Sequence, residues 1–225
     1  MRKVLREQGL SIVFALLFVF ALLGQSFAGL GVHNENQRAH GASPIGYWEF
    51  VTSSNFVVDV AENWQSEFLQ FFVFILATIW LIQRGSPESK KPGDQGPGSD
   101  QDQLVGRFAR SRSPAWAKVS GWRRVLYSNS LLLVMGGVFV VSWWLQSVSG
   151  VVVYNADQLA HGQKSVTWLG YVTSADFWDR TLQNWQSEFL AVGSMVTLSI
   201  FLRQRGSAES KPVGTPHAET STEGE

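Results

Sequence analysis

Cysteine is absent from the 225 residues, which excludes disulfides, thiolate metal sites and cysteine redox motifs together. Charge is thin as well as balanced: 16% of residues are Asp, Glu, Lys or Arg, split 18 against 18, so nothing in the total points to nucleic acid as a partner. No nucleophile triad, phosphate-cradling glycine loop or HExxH pair occurs, so the chain is not expected to be an enzyme or to carry a cofactor. What the sequence does hold is 45% hydrophobic residues and ten Trp. The mean hydropathy of +0.01 averages very apolar segments against polar ones, and only a regional reading is informative.

Four segments reach membrane length, at 10–29, 64–83, 130–150 and 185–202. About 20 helical residues rising 1.5 Å each cross a hydrocarbon core of roughly 30 Å. These segments lack the polar face that a helix of a soluble bundle presents to water. The expected fold class is therefore an all-α membrane protein with four transmembrane helices, its partner first of all the lipid bilayer.

NWQSEFL stands at 63–69 and again at 184–190, an offset of 121 residues. Sliding the chain by that offset without a gap matches QRGSPESK (83–90) to QRGSAESK (204–211), QS at 25–26 to QS at 146–147, and NxxQxAHG at 34–41 to the same pattern at 155–162. This predicts a tandem duplication of a two-span helical hairpin, with copies at 1–90 and 122–211. Residues 91–121 are rich in Gly, Pro, Ser and charge and read as a disordered cytoplasmic linker, and 212–225 as a disordered cytoplasmic tail. The first apolar segment resembles a signal peptide, but its internal echo at 130–150 is a building element, so the first is expected to be a retained helix.

Of the 18 basic residues, 15 flank the ends of the spans that share a side with the linker; only Arg38, Lys164 and Arg180 fall in the two inter-span segments. The positive-inside rule then places both termini in the cytoplasm and the inter-span segments outside. Two spans per copy give both copies one orientation, and thus a pseudo-two-fold axis along the membrane normal. The helical pattern runs past the bilayer to Gly41 and Gly162, each after AH, where glycine can close a helix in the left-handed region. Ser53 and Ser174 are placed as N-caps of the following helices. At the other end, RGSPESK and RGSAESK put Arg beside a helix C-terminus and Gly85 or Gly206 in the cap position.

GQS near the end of the first span, NWQSEF opening the second and RGSAESK closing it resemble the unit of an uncharacterised family of bacterial membrane proteins, known only as a domain of unknown function. The resemblance implies a multi-pass bacterial inner-membrane protein. It brings no activity, ligand or site residue, and the chain departs from it at Pro87, where the second copy has Ala208.

Among the residues themselves, the candidates are two intramembrane polar pairs, Gln25 with Glu67 and Gln146 with Glu188. An acid within a span is a functional hypothesis by default. Trp64 in the interfacial belt puts Glu67 only about 4.5 Å deeper, which favours an interhelical hydrogen bond over a midplane transport site. His40 and His161 on the outer face would complete a symmetric set with the two acids, but each sits in a last helical turn where it complements the dipole, and no metal site is expected. Two function classes stay open. One is a non-catalytic envelope protein that is structural or binds another membrane or envelope protein; the other is a small ion, proton or solute transporter or channel along the pseudo-two-fold axis. Oligomeric state is not legible in the sequence.

Overall fold

The computed structural model describes residues 6–220, so Arg2 and Lys3 of the charge argument lie outside the described residues. The described chain is helical, with no strand. Its order is α1 (Gly9–Ala39), α2 (Tyr47–Val51), α3 (Ser54–Trp80), a 3-10 turn (Gly106–Phe108), α4 (Ala115–Lys118), α5 (Trp122–Ser128), α6 (Ser130–Ala160), α7 (Trp168–Val172) and α8 (Ala175–Leu198). The bounds of α1 and α6, and of α2 and α7, differ by the same 121 residues as the sequence echo.

Among the described residues two helices, α1 and α6, are long and apolar enough to cross a membrane. At 31 residues each is about 46 Å long. Only 6% and 17% of their most apolar stretches are buried, which is not how the core helix of a soluble protein is placed. By the same measure α3 and α8 fall short. Their opening turns carry Asp59, Glu62, Asn63, Gln65 and Glu67, or Asp176, Asp179, Arg180 and Glu188, so their apolar parts run only over 68–80 and 189–198.

The residues divide into two compact units, Met1–Ala61 with Leu145–Val172 and Glu62–Trp144 with Thr173–Glu225. In the first unit, α1 ends as its sequence predicts. Ala42 N–H donates to Gln37 O at 2.8 Å and Gly41 takes φ 72°, while Gln163 N–H donates to Gln158 O at 2.8 Å and Gly162 takes φ 71° after α6. These are left-handed caps that satisfy the last carbonyls. The chain then turns back, held by a two-bond clasp. Ile45 N–H donates to Asn34 Oδ1 (2.8 Å) and Asn34 Nδ2 to Ile45 O (3.1 Å); Val166 and Asn155 repeat this at 2.8 and 2.9 Å.

The clasp aims α2 and α7 so that one ring of each packs on a glycine of the long helix: Phe50 on Gly29, Tyr171 on Gly150. Both rings are fully buried. Ser26 Oγ lies 3.0 Å from the Tyr47 hydroxyl, and Trp168 Nε1 donates to Ser147 Oγ at 3.1 Å, so a different side chain makes the same bridge in the two places. Ser53 and Ser174 then cap α3 and α8 through Phe56 N–H (3.4 Å) and Phe177 N–H (3.3 Å), as expected from their positions.

In the second unit the helix ends depart from the sequence expectation. Neither Gly85 nor Gly206 caps a helix, because α3 stops at Trp80 and α8 at Leu198. Each glycine instead occupies a following turn at φ 88° or 84°, closed by Ser86 N–H to Gln83 O (3.1 Å) or Ser207 N–H to Gln204 O (3.2 Å). The cation at the C-terminus of α8 is Arg203, whose Nη1 donates to Ser199 O at 3.1 Å and Ile200 O at 3.0 Å. Residues 91–121 are turns with the 3-10 turn and α4, tied by short-range bonds such as Lys118 Nζ to Ser111 O at 2.6 Å.

Candidate functional site

The densest polar geometry lies in the second unit, where the opening turns of α3 meet α8. Arg180 grips Glu62 with both arms of its fork, Nε to Oε1 at 2.6 Å and Nη2 to Oε2 at 3.2 Å. The Glu62 side chain is 13% exposed and that of Arg180 37%, so the pair is partly desolvated and stronger than a surface ion pair. One turn on, Trp185 Nε1 donates to Gln65 Oε1 at 2.7 Å. Gln65 is fully buried, and among the described residues its Nε2 has no hydrogen-bond partner. Trp143 of α6 adds a long 3.5 Å contact from Nε1 to the buried Thr181 Oγ1. Phe139, Phe177, Trp178 and Trp185 pack their rings around that of Trp143. Packed rings beside the seam lower its local dielectric, which strengthens the bonds inside it.

Glu67 is exposed and Glu188 half-buried. In the first unit, Gln146 is fully buried and Gln25 half-buried. His40 and His161 are exposed, and each Nδ1–H donates to the carbonyl one turn back, Asn36 O at 2.8 Å and Asp157 O at 2.9 Å. Among the described residues no three His, Cys, Asp or Glu gather in a way that could hold a metal ion.

A second polar knot joins the RGSPESK and RGSAESK loops, also within the second unit. The serines are used locally and in the same way twice. Ser89 and Ser210 Oγ each accept a backbone N–H, from Gln83 and Gln204, at 2.9 Å; Ser86 and Ser207 accept from Glu88 and Glu209 at 3.2 Å. Lys211 is buried, its ammonium within hydrogen-bond distance of four carbonyls that share its three protons, Gly85 O (2.6 Å), Glu219 O (2.9 Å), His217 O (3.1 Å) and Pro216 O (3.2 Å). Thr220 Oγ1 accepts from Gly85 N–H at 2.8 Å. An open cleft of about 840 Å³ beside Glu88, with Lys90, Lys91, Asp94 and Asp102 in its wall, mixes both signs of charge.

Burial, then the neighbouring charge of Glu209 and a hydrogen bond with it, hold the Glu88 carboxyl above the ordinary carboxylate range. A folded-state pKa above the unfolded one means that the folded chain binds the proton more tightly. The contribution of Glu88 to stability is then complete below the ordinary carboxylate range and is lost as pH rises through the raised value. Thermal unfolding followed from acid to neutral pH should show this loss in the parent chain. Glu88→Gln, which cannot ionise, should flatten it; an unchanged pH profile in that variant would remove Glu88 as the cause.

Sequence reasoning missed three of these features: the Glu62–Arg180 pair, the Trp185–Gln65 bond and the Lys211 cage. Arg180 carried a signal, as one of the few cations in an inter-span segment, close to a run of aromatic residues. Lys211 carried none, because its partners are backbone carbonyls.

No curated protein and no solved structure matches the chain. A family described as "Domain of unknown function (DUF6766)" matches residues 1–222, nearly the whole length. Because that match covers nearly the whole chain, the chain belongs to the DUF6766 family.

Proposed function

We propose that this chain is a four-span protein of the bacterial inner membrane, built from two tandem copies of a two-span hairpin, and that it acts without catalysis as a structural or partner-binding component of the envelope. Both termini lie in the cytoplasm in this reading, which rests on the distribution of Lys and Arg. The four-span count rests on α3 and α8 being completed by the apolar residues that follow them, Leu81 and Ile82 in one case and Ile200 to Leu202 in the other. The duplication is supported by helix bounds, caps and clasps that recur at the offset of the sequence echo.

One observation carries the non-catalytic reading: the polar groups at the opening of α3 and α8 are engaged with one another, as in the Glu62–Arg180 and Gln65–Trp185 pairs, instead of lining a path. Gln25, Glu67, Gln146 and Glu188 act as interhelical glue in the same scheme. A second reading, transport of a proton, ion or small solute, draws on the duplication and on the paired acids Glu67 and Glu188. The two readings separate on the double variant Glu67→Gln with Glu188→Gln. Glue predicts no proton or cation flux in reconstituted vesicles above that of empty ones, little loss of stability in the Gln variant, and a loss of about 0.6 to 2 kcal/mol per site when Leu replaces the acids. A flux that disappears in the Gln variant while the unfolding midpoint stays put would establish transport and dismiss the structural role.

A further inference from the structure

The stretch RFARSRSPAWAKVSGWRRVLYS, residues 107–128, is the most one-sided in the chain. It holds Arg107, Arg110, Arg112, Lys118, Arg123 and Arg124, and no acid occurs anywhere from 103 to 156. Interleaved with these cations are apolar side chains open to the surroundings: Trp122, Val125, Trp116 and Leu126 are 67%, 62%, 42% and 41% exposed. The aromatics and cations are already arranged together. The Arg107 guanidinium lies 4.7 Å from the Phe108 ring, Arg123 lies 5.6 Å from the Trp122 ring, and the rings of Trp116 and Trp122 meet edge to face at 6.2 Å.

We propose that residues 107–128 are a docking surface for anionic phospholipid headgroups on the basic side of the membrane. The proposal rests on the reading that α6 crosses the bilayer and goes beyond it by assigning a lipid class to a segment that composition alone leaves as a linker. Two observations choose lipid over nucleic acid, the other polyanion a basic stretch can bind. The exposed aliphatic residues Val125 and Leu126 have no use on a phosphodiester backbone but fit the acyl boundary. The segment also runs within a few residues into the apolar helix beginning at Ser130, which holds it at the bilayer surface. Trp favours that interface and Arg or Lys beside it is drawn to anionic lipid. Asp100 sits 3.3 Å from Arg124 in an exposed pair that a lipid phosphate can displace.

The test uses the full chain in nanodiscs, which expose both faces, made of phosphatidylcholine alone or with phosphatidylglycerol, and reads the rate of tryptic cleavage between Arg107 and Lys118. Anionic lipid should slow cleavage, and salt at about 0.5 M should restore it by screening. Each cation removed should weaken docking roughly fivefold, so Arg123→Gln with Arg124→Gln should lose about 25-fold of the protection. Equal rates in the two lipids, full protection in the double variant, or protection that appears only when RNA is added would each overturn the proposal. Alkaline carbonate extraction of the chain from neutral vesicles separates this failure from the other one. A chain that stays in the membrane but shows no lipid-dependent protection refutes the docking surface alone, whereas a chain that is extracted refutes the membrane reading and the surface with it.

Discussion

Arg180→Leu should cost about 3 kcal/mol of unfolding free energy, one of the two largest effects expected of a single substitution in this chain. It removes the guanidinium fork that Glu62 engages and strands a carboxylate that is 13% exposed. The reverse change, Glu62→Leu, should cost about 1 to 2 kcal/mol, because the long Arg180 side chain is already 37% exposed and can move its charge toward water. Removing both partners replaces a partly desolvated pair with apolar groups in an aromatic neighbourhood and should be nearly neutral. Chemical denaturation in detergent micelles of the parent, the two single variants and the double variant gives the coupling directly. Additive losses, with the double variant the least stable of the four, would show that the pair contributes no interaction of its own and that the seam between α3 and α8 is held by its rings.

Gly150→Ala should be destabilising by about 1 to 3 kcal/mol, against the sign expected of that change inside a helix. Alanine is ordinarily better than glycine in a helix by up to about 1 kcal/mol, since it restricts the unfolded chain and covers backbone. At Gly150 the added Cβ would lie 2.5 Å from the Tyr171 hydroxyl oxygen and 2.8 Å from a ring carbon, and Tyr171 is fully buried with the clasp of Asn155 holding its helix in place. Gly29→Ala should behave alike but less severely, its nearest atom being Phe50 Cζ at 2.9 Å. Gly31 and Gly137 supply the contrast, because a Cβ at either meets nothing within 4 Å and alanine there should be neutral or stabilising. Tyr171→Ala should relieve Gly150→Ala. If Gly150→Ala and Gly137→Ala shift the unfolding midpoint in the same direction, the ring is not seated on the helix as described.

The caps were legible because their chemistry is local. A glycine after a helical run, or a serine three residues before a free backbone N–H, identifies its own partner, and Gly41, Gly162, Ser53 and Ser174 all do what their positions foretell. Gly85 and Gly206 misled for the same reason. A turn and a helix cap both need positive φ, and the sequence does not say which of them a glycine supplies. Arg205 of RGSAESK misled in turn: the cation at the end of α8 is Arg203, since which cation serves a helix end depends on where the helix stops.

The sequence by itself determined that the described chain is helical and that its glycine and serine caps recur at one offset; of the four membrane-length stretches it offered, α1 and α6 are the helices long and apolar enough to cross a membrane. Hydrophobic period, glycine placement and backbone satisfaction all act within a few turns, so equal letters produce equal local structure. Only the tertiary structure decided what the repeated heptapeptide does. In NWQSEFL at 63–69 Gln65 is fully buried against Trp185, whereas in the identical stretch at 184–190 its counterpart Gln186 is exposed. The residues that break this equivalence lie outside the heptapeptide. Arg180 stands where the other copy has Asp59, and Glu62 where it has Gln183, so the ion pair of opposite charges has no ionic counterpart at the equivalent positions. Burial and partner choice are properties of the neighbours that packing supplies, and two identical segments in one chain cannot both have the same neighbours unless the whole chain is symmetric.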